Sequence, residues 1–274
     1  MYYLILLFAF LSNYMIQFLH LSSSNVGYEP NWILSCLFLE NYQIMYYNDF
    51  ANVSPLPVLW SVCIEEHFYI VWVLVIGYCN LKKIPYFIFG LILVAFILRF
   101  VYNKYDIMFK DIFTNIDYFM YGAIPAYLLV FKKEKTILII NKIPIYLKAI
   151  IVTMPIIYVF GINLTNFKYF NQIEPLTSGL FFTMVLFILL PQENKFKIGD
   201  KSIFSKLGIY TYSLYLNHVI VINLMIQVFK KIELDLKVYY FLFILIALTL
   251  TVLISRLTFI VIEKPFLSLK KRFL

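Results

Sequence analysis

Four charged side chains and one histidine fall within apolar stretches that are long enough to cross a bilayer. Glu65, Glu66 and His67 are consecutive near the start of one stretch, Arg99 is near the end of the next, and Asp117 is near the start of a third. Charged groups inside a membrane cost several kcal/mol unless they are paired or hydrated, so each is a candidate site residue. Carboxylates at such a place can act as an acid or a base.

Two interpretations of these charges remain open. Arg99 can pair with a carboxylate and fix helix packing, which is common for buried ionic groups. The same charges can instead line a pocket for a polar substrate. Glu65 and Glu66 differ by about 100° around a helix axis, so we expect only one of them to face the interior of a helical bundle.

A second polar run surrounds His218. Tyr212, Ser213, Tyr215 and Asn217 precede it within a stretch that is otherwise apolar. An imidazole at that depth can move a proton or orient a substrate, or it can form a hydrogen bond that joins two helices. Both interpretations of His218 and its neighbour Tyr215 stay open.

Arg256 lies about two helical turns before the sequence Glu263-Lys264-Pro265-Phe266. Its long side chain can reach the interface and anchor the last helix, or its guanidinium can face a phosphate-bearing ligand. We expect Pro265 to end that helix.

Apolar stretches must position these groups. Of the 274 residues, 62% are apolar and 14% are charged, whereas a soluble domain is about half apolar and about one quarter charged. Stretches without alternation of polar and apolar residues favour helices over barrel strands. The fold class is therefore all-α, a polytopic membrane bundle. Eight spans are predicted, at Tyr2 to Leu21, Trp60 to Cys79, Ile84 to Tyr102, Ile112 to Phe131, Ile145 to Ile162, Leu176 to Pro191, Leu207 to Phe229 and Val238 to Ile262.

Lysine and arginine predict the orientation of these spans, because short loops rich in them stay in the cytoplasm. The loops after the second, fourth and sixth spans and the C-terminal tail hold fifteen, and the alternate loops hold six. We therefore expect both termini in the cytoplasm. Spans two and four then descend from outside while span three rises, which places Glu65, Glu66, Arg99 and Asp117 together near the outer face.

Several classes of ligand are not expected. The net charge of +8 is explained by topology and by attraction to anionic membrane lipids. No basic run is interleaved with aromatic residues, so we exclude nucleic acid as a partner. Cys36, Cys63 and Cys79 lack the spacing of metal ligands, and we predict no metal site.

Three motifs resemble those of the membrane acyltransferase family called acyltransferase 3. The run Trp60-Ser-Val-Cys-Ile-Glu-Glu-His-Phe-Tyr69 resembles its Trp-Ser-(x)3-Glu-Glu-x-Phe-Tyr signature. Tyr212 to His218 resembles its late Tyr-Ser-Leu-Tyr-Leu-x-His motif, and Glu263-Lys264-Pro265 resembles its closing Glu-Lys/Arg-Pro. Asp117 and Gly122 are similar to a mid-chain Asp and Gly of the family. The resemblance covers essentially the whole chain.

This resemblance implies transfer of an acyl group, usually acetyl, from cytoplasmic acyl-CoA to a sugar hydroxyl of a surface or exported glycan. It implies a bacterial inner-membrane location, acyl-CoA as a co-substrate and no tightly bound cofactor. On this interpretation Glu65 or Glu66 is catalytic, and Arg99, Asp117, Tyr215, His218 and Arg256 bind substrates. We expect a single membrane acyltransferase domain over residues 1–274.

Family members generally begin with helices that carry a basic residue followed by a histidine regarded as the catalytic base. No Lys or Arg precedes Lys82, so His20 does not belong to that motif, and we expect an N-terminally truncated member. Two alternatives remain: a transporter or flippase subunit for a lipid-linked sugar, and a family remnant without activity.

Overall fold

The computed structural model describes residues 1–18, 26–161, 169–191 and 198–270. The described residues form helices, with one isolated backbone bridge between Tyr28 and Ala51. Contacts divide the chain into two compact units, one of residues 1–63 and 200–274 and the other of residues 64–199. The expectation of a single domain stays a prediction.

Among the described residues, seven α-helices lie wholly within the first unit. They are α1 (Tyr2–Phe18), α2 (Trp32–Cys36), α3 (Glu40–Tyr47), α10 (Ile203–Gly208), α11 (Thr211–Lys231), α12 (Tyr240–Thr258) and α13 (Lys264–Lys270). A π-helix over Phe259–Glu263 joins α12 to α13. The core between α11 and α12 contains Val221, Met225, Phe229 and Ala247.

The second unit contains most of α4 and all of the next five helices. These are α4 (Trp60–Tyr78), α5 (Ile84–Lys104), α6 (Ile112–Phe131), α7 (Lys133–Lys142), α8 (Ile145–Gly161) and α9 (Phe170–Leu189). Helix α6 packs against α5 and α9, and α9 also packs against α8. Phe68 of α4 stacks on Phe119 of α6 with ring centroids 4.0 Å apart, which fixes α4 on the same core.

Each of the eight predicted spans overlaps a helix, and the all-α membrane fold is confirmed, but the predicted number of eight spans is not. By length and composition, five helical runs of the described chain can cross a membrane, or six if the bent pair α7 and α8 is one span. The five are Leu56–Tyr78, Leu81–Lys104, Phe170–Leu189, Thr211–Lys231 and Tyr240–Leu269. The protein is therefore an integral membrane protein of helical type.

Pro265 does not end the last helix, contrary to the sequence expectation. Helical structure continues through the π-helix into α13, where Pro265 is the second residue. Proline is tolerated in a first helical turn, because its ring clashes with the carbonyl four residues earlier only in a regular helix interior. The wider π turn before Pro265 changes that geometry.

The sixth span begins earlier than predicted. Helix α9 starts at Phe170 and contains Pro175, whereas the predicted span began at Leu176. Gln172 of this segment is buried, and the Glu174 carboxylate accepts a hydrogen bond from Ser178 one turn later. Tertiary packing of these polar side chains outweighs the local signal.

Candidate functional site

Arg99 and Asp117 form a buried ion pair between α5 and α6. The Arg99 guanidinium donates from Nη2 to Asp117 Oδ1, and each side chain is only 1% exposed. Removing two charges from water is costly, and it is tolerated only when the charges compensate each other. Pairing of Arg99 with a carboxylate was one of the two sequence alternatives, and the structure contains that pair.

Helix α9 adds a second carboxylate beside this pair. The Arg99 guanidinium lies over the Tyr118 ring at 5.8 Å from its centroid. The Tyr118 hydroxyl donates to Glu174 Oε2 at 3.4 Å, and Ser178 donates to Glu174 Oε1. We call Arg99, Asp117, Tyr118, Glu174 and Ser178 the Arg99 cluster, which spans three adjacent helices.

Three further buried polar atoms occur on the same three helices. Arg99 Nη1, Tyr121 Oη and Gln172 Oε1 have no hydrogen-bond partner among the described residues. Buried polar atoms are nearly always paired, so each such atom requires an explanation. Two donors and an acceptor are suited to the hydroxyl groups of a polar ligand.

Close packing holds α6 against α9 at this cluster. The Gly179 Cα lies directly against the Tyr121 ring, where any Cβ atom would collide with it. Four residues along α9, Thr183 Oγ1 donates to the Tyr121 carbonyl oxygen at 3.0 Å. Glycine is used here because the helix must approach an aromatic ring so closely.

The start of α6 is fixed by an N-cap and a link to α5. Asp111 Oδ1 accepts from the Thr114 backbone N–H at 2.9 Å, which satisfies a free donor of the first turn. The Tyr102 hydroxyl of α5 donates to Asp111 Oδ2 at 2.8 Å. These contacts set the relative height of α5 and α6, and therefore of Arg99 and Asp117. Next to the cap, burial lowers the pKa of the Lys110 ammonium.

Glu65 and Glu66 lie half-buried on α4. Within residues 64–199, neither carboxylate forms a hydrogen bond or ion pair with a described residue. The structure therefore does not connect them to Arg99 or Asp117 by direct contact, although the stacking of Phe68 on Phe119 holds their helix beside α6. Their catalytic role stays a prediction.

The three motif segments meet in the unit of residues 1–63 and 200–274. Ser61 and Tyr215 share a hydrogen bond between their hydroxyls, and Tyr215 also donates to the Val58 carbonyl oxygen at 3.2 Å. Ser213 donates to Glu263 Oε1 at 2.6 Å. The first motif thus contacts the second, and the second contacts the closing Glu-Lys-Pro.

His218 lies beside this network on α11. Its Nδ1 is 2.5 Å from the Tyr215 carbonyl oxygen, an acceptor that requires a proton on Nδ1. In a neutral ring Nε2 then carries the lone pair, so His218 can accept a proton there. Arg256 is exposed on α12 and is not part of the network.

A buried network in the segment before α4 was missed by the sequence interpretation. Glu40 is 0% exposed and accepts from Tyr28 at 2.5 Å, from Ser35 at 2.5 Å and from Gln43 at 3.0 Å. Burial raises the pKa of the Glu40 carboxyl, and the hydrogen bonds from Ser35 and Tyr28 partly offset this effect. The fold of this segment brings Tyr28, Ser35 and Gln43 to Glu40, so no local signal marked them.

Glu174 was also missed, because the predicted sixth span began after it. A usable signal was its separation of four residues from Ser178, which places both on one helix face. No group of three or more His, Cys, Asp or Glu side chains suited to a metal ion occurs in the described ranges. His20 lies outside the described residues.

Comparison with known proteins identifies the family. The chain matches the profile of the family described as "Acyltransferase domain" over residues 2–258, which includes both compact units. A search of curated proteins returned no match, and a search of solved structures returned none either. Because the match covers nearly the whole chain, this membrane protein belongs to the acyltransferase 3 family that its three motifs resemble.

Proposed function

We propose that the protein is an O-acyltransferase that moves an acyl group, in particular acetyl, from cytoplasmic acyl-CoA to a hydroxyl of a surface or exported glycan. The family match over residues 2–258 supports acyl transfer, and the Arg99 cluster supports a polar acceptor. This cluster places a buried arginine, a buried aspartate and a half-buried glutamate in helices of a membrane protein, where charge is costly and is retained at functional sites. We place the protein in the bacterial inner membrane with both termini in the cytoplasm.

The cluster is suited to a sugar acceptor. Carboxylates accept hydrogen bonds from sugar hydroxyls, while the guanidinium and tyrosine hydroxyls donate to sugar oxygens. Arg99 Nη1 and Tyr121 Oη supply donors without another partner among the described residues. Under the proposed orientation, these groups lie towards the outer face, where an exported glycan is accessible.

The chemistry requires a base and a donor site. The acceptor hydroxyl oxygen attacks the thioester carbonyl carbon, and its proton passes to a base. The carbon–sulfur bond then breaks to release the CoA thiolate, which takes up the proton from the base. We assign the base to Glu65 or Glu66, whose carboxylates form no hydrogen bond within residues 64–199 of the described chain. Tyr215, His218 and Arg256 are assigned to substrate binding, with Arg256 on the cytoplasmic side, because CoA is too charged to cross lipid.

Radiolabelled acetyl transfer in membranes tests this assignment. Membranes containing the unmodified protein, Glu65→Gln, Glu66→Gln or the control Glu134→Gln receive labelled acetyl-CoA, and label in glycan is measured. Glu134 is exposed on α7, so its variant should retain activity. We expect at least one of the two α4 variants to lose transfer, and full activity in both would refute the role of these carboxylates.

The same Arg99 cluster would also serve a transporter of a lipid-linked sugar. Reconstituted vesicles separate the two functions, because acyl transfer requires acyl-CoA and transport does not. Movement of a labelled lipid-linked sugar across the vesicle membrane without acyl-CoA, together with no acyl transfer, would favour transport.

A further inference from the structure

A second candidate site lies in the unit of residues 64–199, away from the charged cluster. It is a pocket of about 440 Å³, within the size range of small-ligand sites, and it is bounded by α6, α7, α8 and α9. Its wall is almost entirely aliphatic or aromatic, with Leu128, Ile139, Ile140, Ile143, Ile151, Met184, Phe187 and Ile188. Its polar lining consists of Lys132, Lys135 and Thr136.

The backbone around the pocket forms an elbow. Helices α7 and α8 are bent by 98° at the break that contains Ile143 and Pro144. If α8 crosses the bilayer, α7 lies along the bilayer surface, as expected of a short helix with charged and apolar faces. Thr136 donates to the Lys132 carbonyl oxygen at 2.9 Å, so its hydroxyl is satisfied by the fold. The pocket is therefore at the boundary between hydrocarbon and headgroups.

The pocket is open to the lipid side. Ile139 belongs to its wall and is 56% exposed, and the adjacent Leu138 is 63% exposed. Large apolar side chains exposed on a membrane protein face hydrocarbon. A ligand can therefore enter sideways from the bilayer, with an acyl chain against the apolar wall.

The rim of the pocket is positively charged. Lys132 and Lys135 are exposed, and neither forms an ion pair with a described residue. No acidic residue is part of the pocket lining. Two ammonium groups above an apolar wall are complementary to a phosphate joined to a hydrocarbon chain, because lysine binds phosphate as a point charge.

We propose that this pocket binds an anionic phospholipid, with one acyl chain against the apolar wall and the phosphate between Lys132 and Lys135. The site lies at the membrane face where positive charge accumulates, and that face attracts anionic lipids. Binding there holds α7 against α8 and α9. The proposal does not depend on acyl transfer.

Native mass spectrometry of the detergent-purified protein tests the site. The protein is titrated with phosphatidylglycerol or phosphatidylcholine carrying identical acyl chains, and bound lipids are counted. We expect phosphatidylglycerol to bind in preference. Lys132→Gln/Lys135→Gln should reduce that preference about tenfold, while the control Lys82→Gln/Lys142→Gln, which removes equal charge outside the pocket, should leave it unchanged.

A second pair of variants tests whether the acyl chain of the lipid binds in the pocket. Ile139→Trp fills the pocket and should remove the strongest bound lipid, whereas Leu138→Trp adds the same side chain to the neighbouring residue, outside the lining, and should not. Both positions are exposed, so folding is expected to survive. If Ile139→Trp nevertheless fails to fold, the lysine variants alone decide.

Competition distinguishes the other phosphate-bearing ligands. Inorganic phosphate and acyl-CoA are added to the phosphatidylglycerol complex, and neither should displace the lipid. Displacement by acyl-CoA that depends on Lys132 and Lys135 would make this a donor site and overturn the proposal. Displacement by inorganic phosphate, or equal binding of the two phospholipids by the unmodified protein, would overturn it as well.

Discussion

Arg99 of α5 and Asp117 of α6 form an ion pair with both side chains buried, and Tyr118 connects that pair to Glu174 of α9. The two groups are 18 residues apart along the chain, on helices that run in opposite directions. A buried pair of this kind gives little net stability compared with apolar residues of similar volume. The two alternative roles of the pair, helix packing and substrate binding, therefore predict different effects of replacing it.

Removing one charge of this pair should destabilise the protein, whereas replacing both residues by apolar ones should not. Asp117→Asn leaves the arginine charge uncompensated, and we expect a loss of about 3 to 5 kcal/mol in the free energy of unfolding. Arg99→Met/Asp117→Leu removes both charges and should unfold near the temperature of the unmodified protein. Thermal unfolding in detergent measures both. Acyl transfer should be lost in the double variant, and full activity there would show that the pair serves packing only.

The close approach of α6 and α9 predicts a sharp effect of one methyl group. Gly179→Ala places a Cβ against the Tyr121 ring, and we expect a destabilisation of about 1 to 3 kcal/mol from overpacking. Gly90→Ala on α5 is the matched control, because a Cβ there meets nothing within 4 Å. It should be neutral or slightly stabilising, since alanine favours helix. Equal unfolding temperatures for the two variants would contradict this contact.

The hydrogen bond between Ser213 and Glu263 links the last two motifs and predicts energetic coupling. Ser213→Ala and Glu263→Ala should each destabilise, and a double-mutant cycle should give a coupling energy of about 1 kcal/mol. Thermal unfolding of the four proteins measures it. Strictly additive effects would mean that the two side chains do not interact in the folded protein.

The buried Glu40 carboxyl predicts a pH dependence of the segment before α4. Its folded pKa is raised above its ordinary value of 4.5, so the folded state holds a proton that the unfolded state releases. Its contribution to stability is full below about 4.5 and decreases as pH rises towards the folded pKa. Hydrogen exchange of α2 and α3 across this range measures the effect.

Glu40→Gln is the control for this titration, because glutamine does not ionise. Its amide oxygen can accept from Ser35 and Gln43, and its amide N–H can donate to the Tyr28 hydroxyl. The variant should lose the pH dependence while keeping protection at low pH. An unchanged pH profile in Glu40→Gln would assign the effect to another group.

The sequence by itself determined the helices, and it predicted that the main charges lie at one depth. Long apolar stretches must satisfy their backbone hydrogen bonds internally, so each predicted span is a helix. The proximity of Arg99 and Asp117 follows from similar reasoning. Neighbouring antiparallel helices that carry opposite charges at one depth bring those charges together.

Only the tertiary structure decided which distant residues meet. Ser61 contacts Tyr215 across 154 positions, and Ser213 contacts Glu263 across 50. Glu174 joins the Arg99 cluster because α9 begins at Phe170, and Pro265 remains within helical structure because a π turn precedes it. Such contacts depend on the side on which each helix packs and on its rotation about its own axis. Apolar periodicity specifies neither when a helix is apolar on every face, as in a membrane.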